Sequence, residues 1–268
     1  MKFVKMHGLS NDYVFVDAFT QPAIGNPAAL SVEISKYHTG IGADGLILIE
    51  PCEGADARMR IFNADGSEAQ ICGNGLRCAG KYLYDSGIAR RKELRVMTGA
   101  GLKKLTLTVE NGKAVAARAD MGEPKIIAAR KAIEAGGRTL RFTCVSMGNP
   151  HAVTFEEAAQ DECFYTLGPA VERHEFFPER TNVEFVRVES PGRLHVRVWE
   201  RGSGETMACG SGACAVLAAA VIEGRAQRQA QVVLPGGALN IEWCEEDNHI
   251  YMTGPAEAVF SGEYPAAY

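Results

Sequence analysis

Two cysteines are followed by the same kind of turn: Cys72 opens Cys-Gly-Asn-Gly and Cys209 opens Cys-Gly-Ser-Gly, each running into a stretch that reads as helix. A cysteine just ahead of a helix lies beside unpaired backbone N–H groups and the positive end of the macrodipole. Both favour thiolate over thiol, and such a pKa can fall from about 8.5 toward neutrality, although the resting protonation state of each cysteine is not legible here. The glycines permit close backbone approach, so the same N–H groups can also hold a carboxylate. Two such turns aimed from opposite sides at one bound molecule would supply what inversion of a tetrahedral carbon requires, one group removing a proton and another delivering one to the far face. The N–H groups would stabilise charge developing on the substrate carboxylate, and no cofactor is then required. Most cysteines are instead small core residues. Cys78 and Cys214, inside the helices and out of step with one another, read as core.

What favours chemistry at Cys72 and Cys209 is that the chain is written twice. Residues Phe62 to Gly75 read FNADGSEAQICGNG and residues Trp199 to Gly212 read WERGSGETMACGSG, so position 72 maps to 209 at an offset of 137 without a gap. The same offset carries Glu68 to Glu205, Gly87 to Gly224, and Val96–Gly99 to Val233–Gly236. A weaker echo, needing gaps, pairs the stretch from Met6 to Asn11 with Met147 to Asn149.

The elements that position these turns follow one plan in both copies: strands, the turn, a helix of three to four turns, then more strand. Leu46–Ile49 and Met59–Phe62 read as strands, and Leu76–Asp85 as a helix closed by Gly87, a residue suited to a left-handed cap. His195–Trp199 alternates as a strand, and Gly212–Glu223 reads as a helix closed by Gly224. Asn111-Gly112 between alternating runs predicts a two-residue hairpin. The second helix is apolar on nearly every side, which implies burial all round. The expected class is α+β: two pseudo-symmetric domains, each a strand-rich layer wrapped around a central buried helix, with the active site in the interdomain cleft. The expected boundaries are 1–118 for the first lobe, completed by about 258–268, and 119–257 for the second.

Bulk properties narrow the function. The chain has 268 residues, 46% hydrophobic and 23% charged, ordinary for globular proteins and enough for two cores. A net charge of -5 gives no general positive field, and Lys and Arg are scattered apart from the Arg90–Lys92 run, so neither nucleic acid nor an anionic membrane surface is an expected partner. No signal-peptide pattern opens the sequence, and the longest apolar run, Ala213–Ile222, is far shorter than the roughly 20 residues of a membrane span. The expected location is cytoplasmic, with the eight cysteines as free thiols. Neither a Cys-x-x-Cys nor a His-x-x-x-His pair occurs, so no metal site is expected.

Further motifs run through almost the whole chain: Lys5–Asp12 (KMHGLSND), Gly40–Gly45 (GIGADG), Asn63–Glu68, Met147–His151 (MGNPH), Glu179–Asn182 (ERTN), Glu200–Thr206 (ERGSGET) and Ala208–Ala213 (ACGSGA). In these residues and their order the chain resembles the diaminopimelate epimerase family, cofactor-independent epimerases that use two cysteines. The resemblance implies interconversion of LL- and meso-diaminopimelate, a step toward lysine and peptidoglycan, by Cys72 and Cys209 as a general acid/base pair, in a homodimer. Carried over position by position, Asn11, Asn63, Asn149 and Asn182 would hydrogen-bond the substrate. Gly73, Asn74, Gly210 and Ser211 would hold the reacting carboxylate at the helix N-termini. Glu200 would take an ammonium and Arg201 a carboxylate, while His151 and Glu200 would tune the thiols. The chain departs from some members at Gly45, where they carry a substrate-contacting Gln. Two rival readings stay open at this point: a racemase of another amino acid on the same fold, and a non-catalytic amino-acid binding protein or thiol redox switch.

Overall fold

A computed structural model describes residues 1–156 and 163–265. The chain divides into two compact units, Met1–Ala119 with Gly254–Tyr268, and Asp120–Thr253. Positions 157–162 of the expected second lobe and 266–268 of the expected C-terminal return lie outside the described residues.

The first unit contains β1 (Lys2–Gly8), β2 (Asn11–Asp17), α1 (Pro27–Ile34), β3 (Gly45–Glu50), β4 (Ala57–Asn63), β5 (Glu68–Ala69), α2 (Gly73–Ser86), β6 (Glu93–Thr98), β7 (Gly101–Glu110) and β8 (Lys113–Asp120). The second contains β9 (Lys125–Ala135), β10 (Arg138–Ser146), β11 (Pro150–Thr154), α3 (Phe164–Glu172), β12 (Asn182–Ser190), β13 (Arg193–Glu200), β14 (Gly204–Thr206), α4 (Gly210–Ile222), β15 (Gln229–Leu234), β16 (Gly237–Trp243) and β17 (Ile250–Pro255). The last strand, β18 (Glu257–Glu263), pairs antiparallel with β1 and belongs to the first unit.

The duplication written in the sequence is a duplication of pairing. In the first unit β2 runs parallel to β3, β3 antiparallel to β4, β4 antiparallel to β5 and parallel to β6, and β6 and β7 continue antiparallel to β7 and β8. In the second, β11, β12, β13, β14, β15, β16 and β17 repeat that series step for step. Register repeats as well: Leu46 opposite Phe62 and Ile47 opposite Ile61 become Val183 opposite Trp199 and Glu184 opposite Val198.

Each unit is organised around the helix after its Cys-Gly-x-Gly turn. Along α2 the residues Leu76, Ala79, Gly80 and Leu83 recur at helical spacing and are buried. Gly80 lets the helix sit against the sheet, since a Cβ there would lie 3.1 and 3.2 Å from methyls of Leu105 and Leu107. Gly87 closes α2 in the left-handed conformation at φ 86°. Helix α4 buries every residue from Gly212 to Ala220, and its small side chains suit close wrapping by strands. Both helices begin earlier than apolar periodicity indicates, at Gly73 and Gly210, because a cysteine sulfur caps each first turn. Helices α1 and α3 cover second cores, α1 with Leu30 and Ile34 over Val14, Leu46 and Phe62, and α3 with Phe164, Leu167 and Val171 over Phe142 and Phe185. The Asn111-Gly112 hairpin forms as expected, with both residues at positive φ. None of the eight cysteines is in a disulfide among the described residues. Among the described residues no helix is long and apolar enough to cross a membrane.

Candidate active site

In the first unit, Cys72 adopts extended backbone as the N-cap of α2, and its sulfur accepts the Gly75 N–H at 3.4 Å. The turn from Gly8 to Asn11 joins β1 to β2 with Leu9 and Ser10 both at positive φ, conformations that cost energy in non-glycine residues and deliver Asn11 to the head of β2. The Asn11 amide is oriented by Asp44, whose Oδ2 accepts Nδ2 at 2.7 Å and the Asp12 N–H at 3.1 Å. Asn11 Oδ1 is thereby turned to the helix, where it accepts from the Cys72 thiol at 3.4 Å and from Asn74 Nδ2 at 3.1 Å. Burial pushes the Asp44 carboxyl up, the Asn11 and Asp12 donors pull it down, and the upward effect wins. Tyr13 is held far above its ordinary ionisation range by burial and by the neighbouring Cys72 sulfur.

The fully buried Arg77 fixes this arrangement from behind. Its guanidinium donates to Asn74 Oδ1 at 2.9 Å, to the Gly73 carbonyl at 3.3 Å and to the Pro255 carbonyl at 3.2 Å. Gly8 leaves room for it: a Cβ there would lie 2.9 Å from Nη2. Asn63 ends β4, where its amide donates to Ser67 Oγ at 3.0 Å rather than to Asn11, Cys72 or Asn74. Gly45 pairs with Asn63, and a Cβ at position 45 would lie 2.1 Å from the Phe62 carbonyl oxygen. On this backbone no side chain fits there.

In the second unit, Cys209 caps α4 in the same way, its sulfur accepting the Gly212 N–H at 3.4 Å with Ser211 Oγ at 3.7 Å. The hairpin from β10 to β11 ends in Asn149, whose Nδ2 donates to Ser211 Oγ at 3.3 Å and whose Oδ1 lies 3.1 Å from His151 Nε2. His151 is buried on β11, and its Nδ1 lies 2.6 Å from Glu184 Oε1. Glu184 also touches the helix mouth, since a Cβ on Gly212 would be 2.9 Å from Oε1 and 3.2 Å from the Cys209 sulfur. Glu200, at the end of β13, accepts from Thr206 Oγ1 at 2.6 Å. Its carboxyl is pushed up by burial and by Glu184, against the pull of Thr206, His151 and the Cys209 thiol.

The ionisation of Cys209 is governed by its surroundings in the second unit. Burial drives that thiol well above the ordinary range, the Glu200 and Glu184 charges add to it, and the donors at Gly212 and Ser211 do not compensate.

Asn182 and Arg201 meet each other. Asn182 Oδ1 accepts the Arg201 N–H at 3.0 Å, and its Nδ2 donates to the Pro150 carbonyl at 2.9 Å. Glu172 holds the following loop, accepting from Trp199 Nε1 at 2.8 Å and Gly202 N–H at 3.0 Å. The Arg201 side chain, exposed, donates to the Glu179 carbonyl at 3.0 Å. Gly210 and Ser211, like Gly73 and Asn74, form the first helical turn behind the cap. No cluster of three or more potential metal ligands occurs among the described residues.

A family model described as diaminopimelate epimerase matches residues 3–127 and 143–259. The chain belongs to the diaminopimelate epimerase family. The diaminopimelate epimerase of Methanococcus maripaludis is 52% identical over 275 residues, covering 98% of this chain and 99% of the relative. That of Acetivibrio thermocellus is 50% identical over 275 residues, covering 98% of each. Among solved structures, a probable proline racemase from Agrobacterium radiobacter K84 superposes with a TM-score of 0.73 at 16% identity, covering 99% of this chain and 93% of that one. At that identity the likeness shows the fold alone. Membership of the diaminopimelate epimerase family makes the chain an isomerase, and the expected α+β class of two related strand-and-helix units is the one found. Reading for family motifs still left residues of this site without a role: Asp44, Arg77 and Glu184 each orient a side chain at a helix mouth. For Glu184 a signal exists in the duplication, which sets it on the buried Ile47.

Proposed function

We propose that the chain inverts one α-carbon of LL-2,6-diaminopimelate to give the meso isomer, with Cys72 and Cys209 transferring the proton, as a step of lysine and peptidoglycan precursor biosynthesis. The observation that carries this reading is the gapless duplication, in which each copy ends a strand and caps the next helix with a cysteine sulfur. Family membership supports the substrate.

In this scheme one sulfur, as thiolate, takes the α-hydrogen as a proton and becomes a thiol. The other, as thiol, gives its proton to the opposite face and becomes a thiolate. The electron pair left on carbon spreads into the carboxylate, and the N–H groups of Gly73, Asn74, Gly210 and Ser211 stabilise that charge, so no cofactor takes part. Burial and the carboxylates of Glu200 and Glu184 favour Cys209 as a thiol at rest. Cys209 then begins as the acid and Cys72 as the base, and solvent exchange resets the pair after each turnover. We assign Glu200 and His151 to thiol tuning, with Glu200 also taking an ammonium group and Arg201 the distal carboxylate by a forked contact. Asn11, Asn63 and Asn149 are assigned to substrate amino and carboxylate groups, and Asn182 to the same task while it fixes the Arg201 backbone. Free thiols suit a reducing, cytoplasmic setting. The homodimer is carried by the family resemblance.

The assignment is tested by turnover of LL-diaminopimelate beside single enantiomers of glutamate, proline and histidine, followed by chiral chromatography. Inversion of diaminopimelate alone is expected, and faster inversion of a competitor would overturn the substrate.

A further inference from the structure

The two units bury different chemistry beneath equivalent helices. Position 47 lies on β3 under the third residue of α2, where a Cβ on Gly75 would meet the Ile47 Cδ1 methyl at 2.5 Å. The equivalent position on β12 is Glu184, under the third residue of α4, where a Cβ on Gly212 would meet Oε1 at 2.9 Å. Both residues are fully buried. A carboxylate standing where its twin is a methyl costs stability unless its charge is used, because desolvation opposes it and a shape-matched apolar side chain would serve the packing at least as well. Glu184 Oε2 has no hydrogen-bond partner among the described residues.

What the charge does is visible in the row of contacts it begins. The strand registers set Val14 beside Leu46 and Ala152 beside Val183, which makes Tyr13 the twin of His151 and Asn11 that of Asn149. In the first unit Asp44 accepts Asn11 Nδ2 directly, and the carbonyl end of that amide faces the helix mouth. In the second unit the amide is turned the other way: Oδ1 faces His151 Nε2 and Nδ2 faces Ser211. His151 meets an oxygen acceptor at each ring nitrogen, Glu184 Oε1 at 2.6 Å and Asn149 Oδ1 at 3.1 Å. Glu184 thus holds the ring that in turn meets the Asn149 amide.

We propose that Glu184 is a positioning residue for inversion, holding the His151 ring in place through Nδ1 so that it locks the Asn149 amide beside Ser211 at the mouth of α4. The first unit then offers an oxygen acceptor beside its helix end and the second an N–H donor, so the duplicated halves are unequal in hydrogen-bonding sense. Through Asn149 this deepens, and rests on, the diaminopimelate reading. The charged groups that share the surroundings of His151 are Glu200 from β13 and Cys209 from the cap of α4, while Cys144 on β10 feels the Glu184 charge.

The test uses long-range 1H–15N correlation of ligand-free protein labelled at histidine, with the His151 signals assigned from a His151→Gln spectrum, together with kinetics of Glu184→Gln and Glu184→Asp. The expected result is that His151 Nδ1 carries hydrogen in the wild type and that the ring nitrogen signals move in Glu184→Gln. In that variant kcat/KM for diaminopimelate falls by up to about a hundredfold, the cost of misplacing a positioning group by about 1 Å, while Glu184→Asp keeps the Nδ1 hydrogen and recovers part of the rate. A bare Nδ1 in the wild type overturns the proposal, as does an unchanged ring in Glu184→Gln or a kcat/KM for that variant within twofold of wild type. The wild-type spectrum decides even if a variant fails to fold. If the wild type leaves diaminopimelate unchanged, the substrate reading fails, and the ring spectra still decide the role of Glu184.

Discussion

Substituting Gly75 with alanine probes how tightly each sulfur is registered by the strand beneath its helix. The added Cβ would sit 2.5 Å from Ile47 Cδ1, whereas its other nearest neighbours, the Cys72 Cβ and sulfur, are at an ordinary 3.7 Å. Carbon atoms pack at about 3.5–4.0 Å, so roughly 1 Å must be found. Either Ile47 leaves its rotamer or the first turn of α2 lifts with its cap. Overpacking of this size costs about 1–3 kcal/mol, offset by up to about 1 kcal/mol from replacing a helical glycine. The rate suffers more, because a displacement of about 1 Å at reacting groups costs on the order of 100-fold. Ile47→Val removes the offending methyl at a cost of about 0.5–1.5 kcal/mol. The double variant Gly75→Ala/Ile47→Val is therefore expected to recover most of the rate and to show a favourable coupling of about 1 kcal/mol or more in a double-mutant cycle. Denaturant titration and initial rates of deuterium uptake by diaminopimelate measure both. Wild-type turnover in Gly75→Ala, or strictly additive losses in the double variant, would refute the reasoning.

Cys72→Ala and Cys209→Ala are each expected to abolish epimerisation with the circular dichroism spectrum unchanged; wild-type turnover in either would exclude the two-thiol scheme. Glu200→Gln removes one of the charges that hold the Cys209 thiol up, so alkylation of Cys209 by iodoacetamide, followed by peptide mass spectrometry, should reach half its maximal rate at lower pH than in wild type. An unmoved or higher midpoint would show that burial alone sets that thiol. Burial raises Cys78 and Cys144 from 9.0 to about 12, so unfolded thiols ionise before folded ones. Their contribution to stability is complete below pH 9 and is lost as pH rises toward 12. Denaturation midpoints should fall over that window and fall less in Cys78→Ala/Cys144→Ala; equal slopes would contradict the linkage.

The parts of the fold that were legible in the sequence are those written by local pattern. The Asn111-Gly112 turn, the Gly87 cap and the all-apolar run of α4 each announce their own geometry. The repeat announces the parallel topology of the two units before any strand is placed. Legibility ends where burial depends on partners distant in sequence. Arg77 carries a full charge yet is fully buried, with a carbonyl supplied by Pro255, which returns from the far end of the chain. Glu184 sits in a strand buried on both faces, NVEFV, and only the placement of α4 over it reveals that its charge lies beside a cysteine. The ionisation of Cys209 is illegible for the same reason: the helix end is local and visible, while the carboxylates beside it come from β12 and β13. Asn63 and Asn182 were read as substrate contacts, and the structure shows what else they do, bridging to Ser67 in one case and to Pro150 and Arg201 in the other.

The most direct test of proton relay between one thiol from each copy is the isotopic content of both stereoisomers early in a reaction of LL-diaminopimelate in heavy water. The relay predicts one deuterium in nearly every meso product molecule while recovered LL substrate stays unlabelled, because the proton removed on one face is not the one returned on the other. Equal labelling of substrate and product, or inversion without any solvent hydrogen, would contradict it.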